Sequence, residues 1–141
     1  MAGNATFKLV LLDYFSDQKE VHLSSVMEIF KTWNRLHSIL KTDYHLMPEE
    51  EKEDPIESTR IDTLIANQHG IFGVSGHRTV QEFSKFYAYG SGSDYALGSL
   101  WATYEDPKSG SEDLAKNAIE AASEFDDATG LPVHFQSIKM I

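Results

Sequence analysis

The stretch YGSGSDYALG, Tyr89–Gly98, places a small-residue turn, Gly90-Ser91-Gly92-Ser93, between an aromatic segment and a helix start at Asp94. Such a turn can cradle a phosphate, support catalytic groups, or simply change the chain's direction. The phosphate reading meets the sequence poorly. A dinucleotide fingerprint needs Gly-x-Gly-x-x-Gly after an early strand, and position 95 is Tyr. A phosphate loop ending in Lys-Ser or Lys-Thr is also absent, and Asp94 sits in the helix-end field that an anion would use.

Downstream, Leu97, Leu100, Trp101 and Tyr104 mark a helix that EDPKSGS interrupts. Ser111 then reads as the cap of another helix, with Leu114, Ala118, Ala121, Ala122 and Phe125 along its inward face. Gly130 reads as a left-handed helix stop, and PVHFQSIKM as a closing strand. Upstream, FYAY (Phe86–Tyr89) reads as a strand, preceded by a hairpin of RIDTLIAN (Arg60–Asn67) and IFGVSG (Ile71–Gly76) around the turn QHG.

The front of the chain is helical in pattern. Phe7, Val10, Leu11, Tyr14 and Phe15 recur at helical spacing, and Leu9 and Leu12 widen the stripe, which predicts burial on more than one side. Val26, Ile29, Phe30, Trp33, Leu36 and Leu40 form one face of a second helix, entered through a capping box of Ser25 and Glu28. Helix, helix, strand, strand, strand, helix, helix, strand is the expected order, an α+β arrangement of helices covering sheets in a single domain over residues 1–141. Residues 48–58, containing PEEEKEDP, form an expected acidic loop, since like charges repel unless solvated.

A formal charge of −10 opposes nucleic-acid partners. No apolar run is long enough to span a bilayer, so no membrane partner is expected and the location reads as cytoplasmic. The chain has no cysteine, which removes disulfides and thiolate metal sites. The acidic loop fixes no coordination geometry, and His69 and His77 read as turn residues without a third ligand, so no metal or cofactor is called. Ser75 lacks the Gly-x-Ser-x-Gly pattern of a serine hydrolase, leaving an unrelated Ser/His esterase as an unsupported alternative.

Taken together, YGSGSDYALG, the following helix and AASEFDDATG before a final strand resemble the later part of a proteasome-type N-terminal-nucleophile hydrolase. The likeness is closest to the proteolytic subunit of the bacterial ATP-dependent proteasome-related protease. MAGNATF, Met1–Phe7, is similar to the family's segment that leads into its first long helix. The resemblance implies a partial α-β-β-α sandwich lacking its N-terminal strands. It also implies supporting roles for Ser91, beside a threonine amine, and for Asp126 and Thr129, with Asp127 adjacent to the former. Gly3 matches the position associated with the oxyanion and substrate strand.

In the family the nucleophile is an amino-terminal threonine, carried with an Asp and a Lys on hairpins ahead of the resembling part. Thr6 falls in a helical segment and Ala2 has no nucleophilic side chain, so the 141 residues are expected to lack peptidase activity. The resemblance further implies a homo-oligomer, a polypeptide substrate and an ATPase partner. A non-catalytic oligomerisation or scaffold subunit is the alternative.

Overall fold

In the computed structural model, residues 6–47 and 55–141 are described. The elements run α1 (Thr6–Ser16), α2 (Val26–Thr42), β1 (Thr63–Asn67), β2 (Gly70–Val74), β3 (Val80–Phe83), α3 (Ser93–Thr103) and α4 (Ser111–Phe125). Gly3 and residues 48–54 of the expected acidic loop lie outside the described residues.

Helix α2 starts where its sequence directs it. The Ser25 side chain accepts from the Glu28 amide at 3.4 Å, while the Glu28 carboxylate accepts from the Ser24 amide at 3.0 Å and from the Ser24 hydroxyl. The reciprocal half of the cap is thus shifted by one residue, and both halves satisfy amides that a helix start leaves open. Ile29, Trp33, Leu36 and Leu40 face inward at the expected spacing, whereas Val26 and Phe30 remain exposed. Helix α1 adds Val10 and Tyr14 to the same core, with Phe15 against Trp33 at 6.0 Å between ring centres. Its burial is one-sided, contrary to the expectation: Leu9 and Leu12 point to solvent, so the extra leucines widen the stripe past what α2 and the sheet can cover.

The three strands form an antiparallel sheet in the order β1-β2-β3. Thr63 pairs with Val74 and Asn67 with Gly70, so Gln68 and His69 make the hairpin turn that QHG predicts. Alternation along β2 sends Phe72 and Val74 into the core shared with α2, and Ile71 and Gly73 to the opposite face. Across that opposite face lies a cavity of about 390 Å³, bounded by Leu64, Ala66 and Ile71 on the sheet and by Leu114, Ala118 and Ile119 on α4. Helices α3 and α4 pack on each other through Ala96, Leu100, Leu114, Ala118 and Ala122, a second core separate from the first.

Two strand expectations are corrected. The third strand is Val80–Phe83, paired with β2 from Ile71–Phe83 to Val74–Val80, and not Phe86–Tyr89. Residues 86–89 alternate as a strand would, with Phe86 and Ala88 on the α3–α4 core and Tyr87 ringed by Phe83 and Tyr89, but they join no ladder. Residues 132–140 likewise join no strand among the described residues; the backbone of Ile141 donates to the Gln68 carbonyl at 3.0 Å. Period-two patterning reports an extended chain, and a ladder needs a neighbour of matching register as well.

The helix ends differ in detail too. Gly110, not Ser111, is the cap of α4, and the Asp113 carboxylate accepts from its amide at 3.1 Å. Phe125 is exposed and does not extend the inward face. Gly130 is not among the residues with positive φ; α4 instead ends as Asp126 turns into extended backbone.

Residues 55–58, the described remainder of the acidic loop, are fastened through Glu57. The Glu57 carboxylate accepts from Lys41 at 2.6 Å and lies 3.2 Å from His37 Nε2. Buried Arg78 donates to the Glu57 carbonyl at 2.7 Å and to Asn34 Oδ1 at 3.0 Å. Arg78 adopts φ 63°, a region costly for a side-chain-bearing residue, and these hydrogen bonds offset that cost.

Candidate functional site

The turn quoted at the outset and the end of α4 meet. Ser91 donates its hydroxyl to Asp126 Oδ2 at 2.8 Å across 35 residues of sequence. Thr129 donates its own hydroxyl to the same oxygen at 2.5 Å, and its amide donates to the Asp126 carbonyl at 3.0 Å. Three of the residues singled out by sequence thus converge on one carboxylate, and the fourth, Gly3, lies outside the described residues.

Local structure makes this meeting possible. Gly90, at φ +120°, adopts a conformation that side-chain-bearing residues rarely reach, and its carbonyl accepts from the Ser93 amide at 3.2 Å. Gly92 caps α3, its carbonyl accepting from the Ala96 amide at 3.1 Å. A Cβ on Gly92 would stand 2.7 Å from Thr129 Oγ1, 2.9 Å from Ala122 Cβ and 3.2 Å from Asp126 Oδ2. The second glycine of Gly-Ser-Gly therefore serves close approach of the turn to α4. Asp94 follows in the first turn of α3, where a carboxylate meets the positive end of the helix.

Asp126 sits at the opposite kind of end. A carboxylate at a helix C-terminus faces the negative pole of the backbone dipoles, which opposes ionisation. The hydroxyls reverse the balance: the Thr129 hydrogen bond first, then that of Ser91, with the Ala128 amide adding to them, hold the Asp126 carboxyl below its ordinary value of 3.8. The ionised carboxylate accepts only, so both hydroxyl hydrogens are committed to it. Ser91 Oγ, on an exposed residue, therefore keeps acceptor capacity for a further hydrogen bond.

Neither histidine singled out by sequence joins this cluster: His69 lies in the β1–β2 turn and His77 in the β2–β3 turn. Among the described residues no three His, Cys, Asp or Glu side chains come together to hold a metal ion. No helix among the described residues is long and apolar enough to cross a membrane.

Sequence reasoning did not single out Gly92 as a contact residue or Tyr89 as anything but a strand residue. Gly92 was visible as the second glycine of the turn, but its neighbours Ala122 and Thr129 come from a distant helix end, which local sequence does not reveal.

A scan against models of known protein families gives no match. No curated protein matches either. Among solved structures, BPH of Thiobacillus denitrificans, a bacterial proteasome homologue, superposes with a TM-score of 0.85 at 56% identity, over 92% of this chain and 68% of that one. The same protein in complex with epoxomicin gives a TM-score of 0.84 at 54% identity over the same shares. The α+β arrangement, with helices on either side of a small open antiparallel sheet, is consistent with part of a proteasome-like architecture. Such identity over nearly the whole chain is well beyond likeness of fold alone, and the chain belongs to the proteasome-type N-terminal-nucleophile hydrolase family, as a relative of the bacterial proteasome homologue.

Proposed function

We propose that Ser91, Asp126 and Thr129 form the supporting part of a threonine-peptidase site. The observation that carries this reading is the single Asp126 oxygen accepting from both hydroxyls, which leaves Ser91 Oγ able to accept a further hydrogen bond.

The chemistry such support serves is economical in protons. A threonine hydroxyl attacks the scissile carbonyl carbon and passes its proton to its own terminal amine. The peptide nitrogen leaves with that proton as an ester to the threonine forms, and water then cleaves the ester. An amine acting as base needs an acceptor to orient its N–H groups and a nearby negative charge to favour the ammonium form. Ser91 supplies the first and ionised Asp126 the second. Turnover by such a site depends on an amino-terminal threonine, which Ser91, Asp126 and Thr129 would support and do not replace.

The relative has been solved in complex with epoxomicin, and membership of the same family carries a polypeptide as the proposed substrate. A homo-oligomer, an ATPase partner and a cytoplasmic setting complete the reading. A second reading, a non-catalytic scaffold subunit, is favoured by the exposed Tyr95, Trp101 and Phe125 on α3 and α4, apolar area of the kind that association covers.

Peptide hydrolysis by the native protein, with Ser91→Ala as the variant, separates the two. The catalytic reading expects epoxomicin-sensitive hydrolysis that falls in the variant. Hydrolysis equal in variant and parent removes Ser91 from the mechanism, and its absence from the native protein leaves the scaffold reading.

A further inference from the structure

Gly73 lies at the centre of the sheet, in register with Leu64 on β1 and Gln81 on β3. Its neighbours Phe72 and Val74 point into the α2 core, so position 73 faces the cavity side. A Cβ there would stand 2.6 Å from the Tyr89 hydroxyl oxygen and 2.8 Å from a ring carbon of Phe83. Both are closer than side-chain carbons tolerate, so the absent side chain is the seat of two aromatic rings.

Those rings belong to a ladder that crosses from the sheet to the Ser91 turn. Phe83 and Tyr87 stack at 3.8 Å with their planes 8° apart, and Tyr87 meets Tyr89 edge-on at 5.2 Å. Tyr89 stands two residues before Ser91 in the chain. Burial, then the neighbouring Tyr87 and Asp62, hold the Tyr89 hydroxyl above its ordinary value, as expected for a ring seated on protein and not in water. On this side of the sheet the apolar cavity lies between the strands and the α3–α4 pair. Away from Tyr89 the two are linked at the far edge by the C-terminal segment, where Ser137 donates to Glu112 on α4 and the Ile141 amide to the Gln68 carbonyl.

We propose that Tyr89, seated on Gly73, is a positioning residue that sets the spacing between the sheet and the α3–α4 pair, and so fixes where Ser91 stands relative to the sheet. This deepens the peptidase reading and rests on it for its consequence, since a misplacement of about 1 Å at a reacting group costs about 10²-fold in rate. The spacing itself is measurable without any activity.

The 141 residues contain no cysteine, so spin labels on Glu82→Cys in β3 and Ala102→Cys in α3, both exposed, are unique within them. Distances between the two labels, measured by pulsed electron resonance in the full chain, give the spacing directly. One sharp distance is expected in the parent and in Tyr89→Phe, which keeps the ring. A shifted or broadened distribution is expected in Tyr89→Ala and in Gly73→Ala. Adding Tyr89→Phe to Gly73→Ala removes the nearest clashing atom, and partial recovery of the parental distance is expected. Tyr89→Ala leaves the strands untouched and decides the matter should Gly73→Ala fail to fold. A Tyr89→Ala distribution identical to the parent's overturns the proposal.

Titration of Asp126 by carboxyl NMR in the same variants keeps this outcome apart from failure of the site reading. The Ser91–Asp126–Thr129 cluster lies within the α3–α4 unit, so its carboxyl stays depressed whichever way the spacing moves. A carboxyl titrating at its ordinary value in the parent contradicts the site and leaves the spacing result standing.

Discussion

Ser91 and Asp126, separated by 35 residues in the chain, are joined by a hydrogen bond of 2.8 Å, and the residue between that serine and helix α3 is a glycine with no room for a side chain. Replacing Gly92 by alanine forces a methyl group toward Thr129 Oγ1 at 2.7 Å and Ala122 Cβ at 2.9 Å. Its φ of −84° is ordinary for alanine, so the penalty is steric alone. Overpacking of this kind costs about 1–3 kcal/mol. Urea denaturation of Gly92→Ala is expected to show that loss, together with an Asp126 carboxyl titrating closer to its ordinary value as Ser91 is pushed away.

The two tryptophans make a contrasting pair. Trp33 is 2% exposed in the α1–α2–sheet core, while Trp101 is 80% exposed on α3. Trp33→Ala leaves a cavity and is expected to cost about 3–5 kcal/mol. Trp101→Ala is expected to change stability by no more than about 0.5 kcal/mol. Sedimentation at several concentrations then checks its other expected effect, weaker self-association, because the indole is apolar area that a partner surface covers.

Acid weakens the clamp that holds residues 55–58. Burial first, outweighing the Glu57 hydrogen bond that acts the other way, holds the His37 imidazole below its ordinary value of 6.5. The unfolded chain therefore binds a proton at His37 over a window beginning near 6.5 in which the folded chain does not, and stability falls as pH drops through it. Glu57 adds a second loss lower down. Lys41, then His37, hold its carboxyl below 4.5, so its contribution is present above that value and disappears as pH falls through the folded value. Thermal melts at constant ionic strength from about pH 8 to about pH 5 are expected to show a falling midpoint, with a flatter dependence in His37→Gln.

The helices and the hairpin were legible because their signals are local. Ile29, Trp33, Leu36 and Leu40 repeat at the helical period, and Gln68-His69-Gly70 separates two β-branched runs. What was not legible depends on neighbours. Phe86–Tyr89 carries strand alternation, yet one face is spent on the α3–α4 core and the other on Phe83 and Gly73, and no strand runs beside it among the described residues. Leu9, Leu12 and Phe125 have the hydrophobicity of core residues, and their exposure follows from where the opposing elements stop. The residue types and order of the Ser91–Asp126–Thr129 cluster were legible through resemblance, while the close approach at Gly92 needed the Thr129 and Ala122 contacts and that at Gly73 the Tyr89 ring.

Hydrolysis of a peptide by the native protein, compared between parent and Asp126→Asn, tests the central claim most directly. The substitution keeps the shape and removes the charge that holds both hydroxyls and favours an adjacent ammonium. General acid–base support of this kind contributes about 10²–10⁴-fold. The account predicts epoxomicin-sensitive turnover in the parent and a kcat reduced by at least about 10²-fold in the variant with KM little altered. Equal kcat in the two proteins would contradict it.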